Sequence, residues 1–183
     1  MINDFFRSKI IENFPFEPTS QQNEALERIV NFLFLQKEET LFLLRGYAGT
    51  GKSSLLGALV KTMTEFKQKT VLLAPTGRAA KVFSSYASHP AFTIHKKIYF
   101  PKKTSGGGVS FTLQPNKHKN TIFIVDEASM IDIAMMTHLV EAVPPSAKLI
   151  LLGDKDQLAS VETGSIFRDL CAGTALAQHT IVL

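Results

Sequence analysis

The chain has 183 residues, 45% of them hydrophobic, a length that fits one α/β domain with a small insertion. Its formal net charge of +4 only weakly favours polyanion binding. No apolar run approaches the roughly eighteen residues of a membrane span, and the N-terminus lacks the basic and apolar segments of a secretory signal. The single cysteine, Cys171, excludes an internal disulfide framework, so we expect a cytoplasmic protein that does not enter a membrane.

The N-terminal part of the chain contains an apolar segment followed by a predicted helix. Residues 1–18 form the segment, which we expect to pack against the domain or against a partner. Four apolar residues share one face of the helix: Leu26, Ile29, Val30 and Leu33. Thr19 and Gln22 have the spacing of a capping box, in which each side chain pairs with a free backbone N–H group. The Gln22 amide could equally pair with an adenine edge, and the residues alone leave both interpretations open.

The strongest motif is Gly46–Ser53, which has the pattern G-x-x-x-x-G-K-S/T between a predicted buried strand at 40–45 and a predicted helix at 54–60. Its glycines allow backbone N–H groups to surround a phosphate, and the helix N-terminus adds free donors. Lys52 would reach the β- and γ-phosphates, and the Ser53 hydroxyl would join a Mg²⁺ shell. The predicted nucleotide-binding residues here are Gly46, Ala48, Gly49, Thr50, Gly51, Lys52, Ser53 and Ser54. An ordinary glycine-rich turn is the alternative, but every motif position is filled, so the motif predicts a nucleoside triphosphate site.

Two further features lie between this motif and residue 120. A second buried strand is predicted at 70–74, and the turn 75–81 that follows it opens another helix. Residues 98–119 then change in character, because two alternating segments flank a basic tip that contains three consecutive glycines. This pattern predicts a β-hairpin inserted into the α/β order, with an irregular surface loop as the alternative.

A third apolar strand, predicted at 121–125, ends in Asp126 and Glu127. Adjacent carboxylates at the end of a buried parallel strand are unfavourable unless a cation faces them, and beside a phosphate loop that cation is Mg²⁺. Asp126 would hold the metal, and Glu127 would polarise the water that attacks the γ-phosphate. Two solvated acids that open a helix are the alternative. The combination with the phosphate loop favours the catalytic interpretation.

A helix predicted at 131–143 leads to a fourth strand at 148–152, which is followed by Asp154 and Gln157. Ligands of open α/β sheets bind at the carboxyl ends of the strands. Gln157 could therefore contact the γ-phosphate and Asp154 could sense it, whereas a plain turn is the alternative. The apolar run 180–183 has the character of one more strand.

Four strands that alternate with helices predict a RecA-like α/β fold, a parallel sheet with helices on both faces. Five motifs then occur in one order: 46–54, 74–81, 93–95, 126–130 and 153–158. This series resembles the superfamily 1B DNA helicases of the RecD and Dda type. The resemblance covers nearly the whole chain and implies the first of two motor domains, over 19–183, with the hairpin 98–119 as an insertion.

The resemblance also implies roles for individual residues. Gln22 lies where the family reads adenine. The residues at positions that bind and cleave ATP with Mg²⁺ are Lys52, Ser53, Asp126, Glu127 and Gln157. The residues in segments that contact single-stranded DNA are Pro75, Thr76, Arg78, Thr93 and His95. The hairpin lies in the place of the pin that parts strands at a duplex junction, and unwinding would run 5′ to 3′.

The resemblance further implies parts of a motor that these residues do not contain. Ala159 and Ser160 replace prolines that usually follow the last motif, a change from which we expect little effect. The arginine that such motors supply soon after the last strand, and their second motor domain, are not among the 183 residues. We therefore expect a monomeric fragment of a helicase that binds ATP, hydrolyses it poorly and does not unwind DNA alone. The other classes left open are a non-motor ATPase switch and a nucleic-acid-binding module with a structural ATP site.

Overall fold

The structure, a computed structural model, describes residues 2–35, 41–103, 108–113, 120–154, 166–173 and 180–183. Its helices are α1 (Ile2–Glu12), α2 (Ser20–Phe34), α3 (Lys52–Glu65), α4 (Gly77–Ala87), α5 (Ile94–Ile98), α6 (Ile133–Ala142) and α7 (Ile166–Ala172). Its strands are β1 (Leu41–Arg45), β2 (Thr70–Ala74), β3 (Ala91–Thr93), β4 (Tyr99–Lys103), β5 (Val109–Leu113), β6 (Ile122–Val125), β7 (Lys148–Gly153) and β8 (Thr180–Val182). Within these ranges, no helix has both the length and the apolar character needed to cross a membrane.

Six parallel strands form the central sheet in the order β3-β2-β6-β7-β1-β8. The four predicted internal strands and the apolar run near the C-terminus all lie in this sheet, so the predicted RecA-like α/β fold is confirmed. The prediction missed β3, which pairs with β2 so that Phe92 lies opposite Leu73. A three-residue strand is too short to show an alternating pattern, and only its pairing with β2 identifies it.

Alternate residues of each strand enter two different hydrophobic layers, because helices cover both faces of the sheet. In β1, Leu44 belongs to the layer that includes residues of α1, α2, α3 and α4. Its neighbour Leu43 belongs to the other layer, which includes residues of α5, α6 and α7. Both leucines are fully buried. Burial on both faces explains why these strands appear in the sequence as continuous apolar runs.

The N-terminal segment packs on the domain through α1. Ile10 is fully buried and Phe14 is 9% exposed, and both lie in the hydrophobic layer of α2 and α3. The Phe6 ring contacts Phe34 and Phe66, with centroid distances of 5.5 and 5.4 Å. The expectation that this segment packs against the domain is therefore confirmed, while a domain boundary after residue 18 stays a prediction.

The predicted hairpin is present as the antiparallel pair of β4 and β5, in which Tyr99 lies opposite Leu113. The pair forms a separate two-stranded sheet. The Tyr99 hydroxyl hydrogen-bonds to Nδ1 of His138 on α6, which ties the base of the hairpin to the domain. Residues 104–107 and 114–119, within the predicted hairpin, lie outside the described residues.

The helix predicted at 131–143 begins at Ile133 instead, after a short 3₁₀ turn over Ala128–Met130. Its N-cap is Asp132, whose carboxylate accepts a hydrogen bond from the Met135 N–H group at 2.6 Å. The capping bond decides where the helix starts, because it satisfies a donor that has no partner within the helix.

Candidate nucleotide-binding site

The predicted phosphate loop joins β1 to α3 at the carboxyl edge of the sheet. Gly49 and Gly51 have φ angles of 81° and 85°, which residues with a β-carbon rarely adopt. A β-carbon at Gly46 would lie 2.8 Å from Thr50 Oγ1 and 3.0 Å from the Leu183 carbonyl oxygen. The backbone therefore has the close turns that allow N–H groups to surround a phosphate.

The other residues of the motif differ in exposure. Ala48 and Ser53 are exposed, whereas Lys52 and Ser54 are half-buried. Ser53 and Ser54 lie in the first turn of α3, where backbone N–H groups have no partner within the helix. The predicted anion site and the predicted metal-binding hydroxyl therefore lie together at one helix end.

The Lys52 ammonium is held against the loop and faces the predicted acidic residues. Its Nζ donates hydrogen bonds to two loop carbonyls, of which that of Tyr47 is 2.6 Å away. Burial lowers the pKa of Lys52, and the charges of Asp154, Asp126 and Glu127 oppose that shift. The carboxylates that follow two different strands therefore act on one ammonium.

Gln22 is buried, with 3% of its surface exposed. Its Oε1 accepts a hydrogen bond from the Thr19 N–H group at 2.9 Å, and the Thr19 hydroxyl accepts one from the Gln22 N–H group at 3.2 Å. The predicted capping box is therefore confirmed. The Gln22 Nε2 also lies 3.4 Å from the Thr50 carbonyl oxygen. Pairing with adenine stays a prediction, and it would have to use the second amide N–H and the second oxygen lone pair.

Asp126 and Glu127 follow β6 at the same edge of the sheet. The Asp126 Oδ1 accepts a hydrogen bond from the Glu127 N–H group at 2.9 Å, and its Oδ2 accepts one from the Tyr86 hydroxyl at 2.6 Å. Glu127 has a φ angle of 55°, which is uncommon for a residue other than glycine. Neither acid caps α6, whose cap is Asp132. Glu127 stands at the N-cap position of the 3₁₀ turn over Ala128–Met130, but its side chain makes no capping hydrogen bond there. The metal and base roles of the two acids stay predictions.

Asp154 follows β7, which lies between β6 and β1 in the sheet. Asp126, Asp154 and the phosphate loop therefore follow three neighbouring strands and share one edge. Gln157 lies outside the described residues, and its contact with the γ-phosphate stays a prediction.

The predicted DNA-contacting residues follow β2 and β3, on the other side of β6. Thr76 and Arg78 after β2 are exposed, and so is His95 after β3, whereas Pro75 and Thr93 are half-buried. Because β2 and β3 are paired, the structure brings the two segments together at one end of the sheet.

Both threonines of this surface also cap helices. The Thr76 hydroxyl accepts a hydrogen bond from the Ala79 N–H group at 3.2 Å, and the Thr93 hydroxyl accepts one from the Lys96 N–H group at 3.3 Å. Their hydroxyl groups therefore stabilise α4 and α5 whether or not they contact DNA.

A recess of 610 Å³ lies beside this surface, at the base of the hairpin. Its lining consists of Thr93, His95, Lys96, Tyr99, Phe100, Pro101 and Phe111. Phe100 is 43% exposed and Phe111 is 69% exposed, although both are large apolar residues. Exposed aromatic rings next to a basic side chain are typical of single-strand binding, in which rings stack on bases and cations contact phosphates.

Tyr86 on α4 is a site residue that the sequence predictions did not include. Its hydroxyl contacts Asp126 although the two residues are 40 positions apart. Burial and the nearby Asp126 raise the pKa of Tyr86, so the phenol stays protonated and acts as a donor. No local pattern points to this residue, because its partner lies at the end of another element.

The fold and the site together define a P-loop nucleotide-binding domain of the RecA-like class. The chain belongs to the AAA domain family, which matches residues 17–182.

Two relatives and one solved structure describe the likeness more closely. The RecBCD enzyme subunit RecD of Buchnera aphidicola is 31% identical over an alignment of 191 positions, which covers 93% of this chain and 30% of that protein. The ATP-dependent RecD2 DNA helicase of Deinococcus radiodurans is 37% identical over 125 residues, which cover 68% of this chain and 17% of that protein. The crystal structure of Pif1 helicase from Candida albicans matches 92% of this chain and 40% of that chain with a TM-score of 0.59 and 21% identity. The relatives confirm the resemblance to RecD-type helicases, and the solved structure confirms the fold.

The chain spans about 30% of the length of the RecD relative and less of the RecD2 relative.

Proposed function

We propose that this chain is the ATP-binding motor domain of a cytoplasmic, ATP-dependent DNA helicase that moves 5′ to 3′ on single-stranded DNA. The observation that carries the proposal is the convergence of the Lys52 ammonium with the carboxylates of Asp126, Glu127 and Asp154 at one edge of the sheet. The relative named as an ATP-dependent DNA helicase supports the choice of a motor over other P-loop ATPases.

ATP would bind with its phosphates on the loop N–H groups and on Lys52. Asp126 and Ser53 would hold Mg²⁺. Both interact with the hydroxyl of Tyr86, so their side chains lie near each other, and both offer the oxygen atoms that this ion prefers. When bound, Mg²⁺ supplies positive charge that offsets the phosphate charge. Glu127 would accept the proton of the water whose oxygen attacks the γ-phosphorus, while the bond from that phosphorus to the β-phosphate oxygen breaks.

Three more side chains would complete the nucleotide site. Gln22 would read the adenine edge, Gln157 would contact the γ-phosphate, and Asp154 would sense the phosphate through Lys52. The attraction between Asp154 and Lys52 supports the last of these roles, because a phosphate that binds Lys52 would compete with it.

Single-stranded DNA would cross the ends of β2 and β3. The proposed contacts are Pro75, Thr76, Arg78, Thr93 and His95. The aromatic recess beside them would stack bases, and the hairpin of β4 and β5 would part the duplex at a junction. The exposure of Arg78 and His95 supports this surface.

The motor would need a second domain that is not among these 183 residues. In the proposed cycle, ATP closes the two domains on each other, and hydrolysis opens them again, which moves the strand. An arginine supplied to the transferring phosphate raises hydrolysis by orders of magnitude, so we expect this monomeric domain alone to bind ATP but to hydrolyse it slowly.

Nucleotide binding by the 183-residue chain is the first test. We expect binding of a fluorescent ATP analogue, and we expect Lys52→Ala to weaken it at least about tenfold, because a charge-assisted contact to phosphate is worth about 1.5–3 kcal/mol. Lys61→Ala, an exposed lysine on the same helix, is the matched control and should leave the affinity unchanged. Equal affinity of the Lys52→Ala variant would refute the nucleotide site.

The motor assignment has its own test, which is ATP hydrolysis by a C-terminally extended chain with and without single-stranded DNA. We expect DNA to stimulate hydrolysis, and we expect Arg78→Ala to weaken this stimulation while nucleotide affinity stays the same. The same rate of ATP hydrolysis with and without single-stranded DNA would instead indicate a P-loop ATPase switch.

A further inference from the structure

The Tyr86 side chain bridges the two residues that are expected to hold the metal. Its hydroxyl donates a hydrogen bond to the Asp126 Oδ2 at 2.6 Å, and the Ser53 side chain interacts with the same hydroxyl. The three residues come from three different elements: α4, the end of β6 and the start of α3. The tyrosine hydroxyl thus interacts with both of the predicted metal-binding groups.

Packing fixes the position of the Tyr86 ring. The ring stacks on the fully buried Phe83, with a centroid distance of 5.2 Å and an angle of 29° between the ring planes. The residue also lines a cavity of 540 Å³, together with Ser53 and Thr64. A ring held in this way presents its hydroxyl in one direction, so the hydroxyl can orient its partner.

The two oxygens of Asp126 are each held by one donor. The Glu127 N–H group binds Oδ1 at 2.9 Å, and the Tyr86 hydroxyl binds Oδ2. A carboxylate oxygen has two acceptor positions, so each oxygen keeps one position for a metal ion or for metal-bound water. With both oxygens tied, the carboxylate plane cannot rotate freely.

We propose that Tyr86 is a positioning residue for the magnesium site, which orients the Asp126 carboxylate toward the ion that accompanies the nucleotide. The proposal rests on the proposed function, because it needs a nucleotide site with Mg²⁺. Carboxylates near a metal are themselves commonly hydrogen-bonded, and loss of such a partner typically weakens metal affinity by about 10- to 100-fold.

The test is a Mg²⁺ titration of the chain with bound fluorescent ADP, in the wild type and in Tyr86→Phe. The substitution removes the hydroxyl and keeps the ring that packs on Phe83. We expect the apparent Kd for Mg²⁺ to rise about tenfold or more. We expect the affinity for ADP in EDTA to stay within about twofold, since the Tyr86 hydroxyl interacts with the two predicted metal-binding residues, Asp126 and Ser53.

The matched control is Thr64→Val, which removes a hydroxyl from the same cavity wall. The Thr64 hydroxyl bonds to the Val60 carbonyl of its own helix at 2.8 Å, and Thr64 is not among the residues expected to hold the metal. The control should leave both affinities unchanged. It separates loss of the Asp126 contact from a general change of the cavity.

The other possible results would overturn either the role of Tyr86 or the proposed function. An unchanged or tighter Mg²⁺ affinity in Tyr86→Phe would overturn the proposal, the tighter case indicating that the hydroxyl competes with the ion. Loss of ADP binding in EDTA as well would make Tyr86 a structural residue only and would also overturn it. If the wild-type chain binds no nucleotide at all, the proposed function fails rather than the role of Tyr86.

Discussion

The two glycines with left-handed backbone in the phosphate loop face different surroundings. A β-carbon at Gly49 would meet no atom within 4 Å, whereas a β-carbon at Gly51 would overlap the amide nitrogen of Gln22. Gly49 therefore needs glycine for its backbone angle alone. Gly51 needs glycine also because the amide that completes the cap of α2 lies against it.

The pair allows a prediction at the residue scale. Gly49→Ala should lower the free energy of unfolding by about 1–2 kcal/mol, the cost of left-handed backbone for a residue with a β-carbon. Gly51→Ala should lower it by about 1 kcal/mol more, because the displaced Gln22 amide loses its capping bond to Thr19. Urea denaturation of both variants measures the difference.

A Gln22→Ala background provides the control for this prediction. Without the amide, the extra effect of Gly51→Ala should disappear, because the added β-carbon has no side chain to displace. Equal effects of the two alanine substitutions in the wild-type background would show that the Gln22 side chain does not restrict which residue fits at position 51.

At the scale of elements, an aromatic residue at the base of the hairpin connects it to the domain. Tyr99, the first residue of β4, bonds to His138 on α6, and its ring lies 5.4 Å from that of His95. Burial and the charges of Asp132 and Glu141 raise the pKa of Tyr99. The phenol therefore resists ionisation in the folded chain, where an anion would have two carboxylates near it.

This contact predicts a specific dependence of stability on pH. Above about pH 10, the unfolded chain loses the Tyr99 proton while the folded chain retains it, so stability falls as the pH rises. Tyr99→Phe lacks this group and should lose less stability than the wild type between about pH 9 and pH 11. Denaturant midpoints of the two proteins over this range measure the difference. If the midpoints of the two proteins change equally with pH, Tyr99 ionises equally in the folded and unfolded states.

At the scale of the whole molecule, α1 extends the hydrophobic core beyond the part that matches the family. The AAA domain match begins at residue 17, but Ile10 is fully buried in the layer of α2 and α3. The adjacent Ile11 is 36% exposed. Of these two consecutive isoleucines, Ile10 thus lies in the core and Ile11 lies at its edge.

The difference predicts unequal effects of the same substitution. Ile10→Ala should lower the free energy of unfolding by about 2–5 kcal/mol, because it leaves a cavity in a packed layer. Ile11→Ala is the matched control and should cost about 1 kcal/mol or less. Chemical denaturation of both variants measures the effect. Similar small effects would show that α1 is a separate unit rather than part of the core.

Much of the fold and part of the site could be predicted from the sequence. Apolar runs that end in Gly46, Asp126 and Asp154 predicted strands whose ends form one edge, and the sheet order confirms this. The hairpin and the capping box of α2 followed from spacing over a few residues. By contrast, β3 was missed because its three residues carry no pattern of their own.

The sequence alone determined the features that depend on residues close together in the chain: glycines at turns, apolar runs along buried strands and capping residues at helix starts. Only the tertiary structure decided which distant groups meet, such as Tyr86 with Asp126 and Gln22 with the phosphate loop. The physical reason is that such contacts depend on how whole helices pack across a buried sheet. Packing of that kind places side chains together without any relation between their positions along the chain.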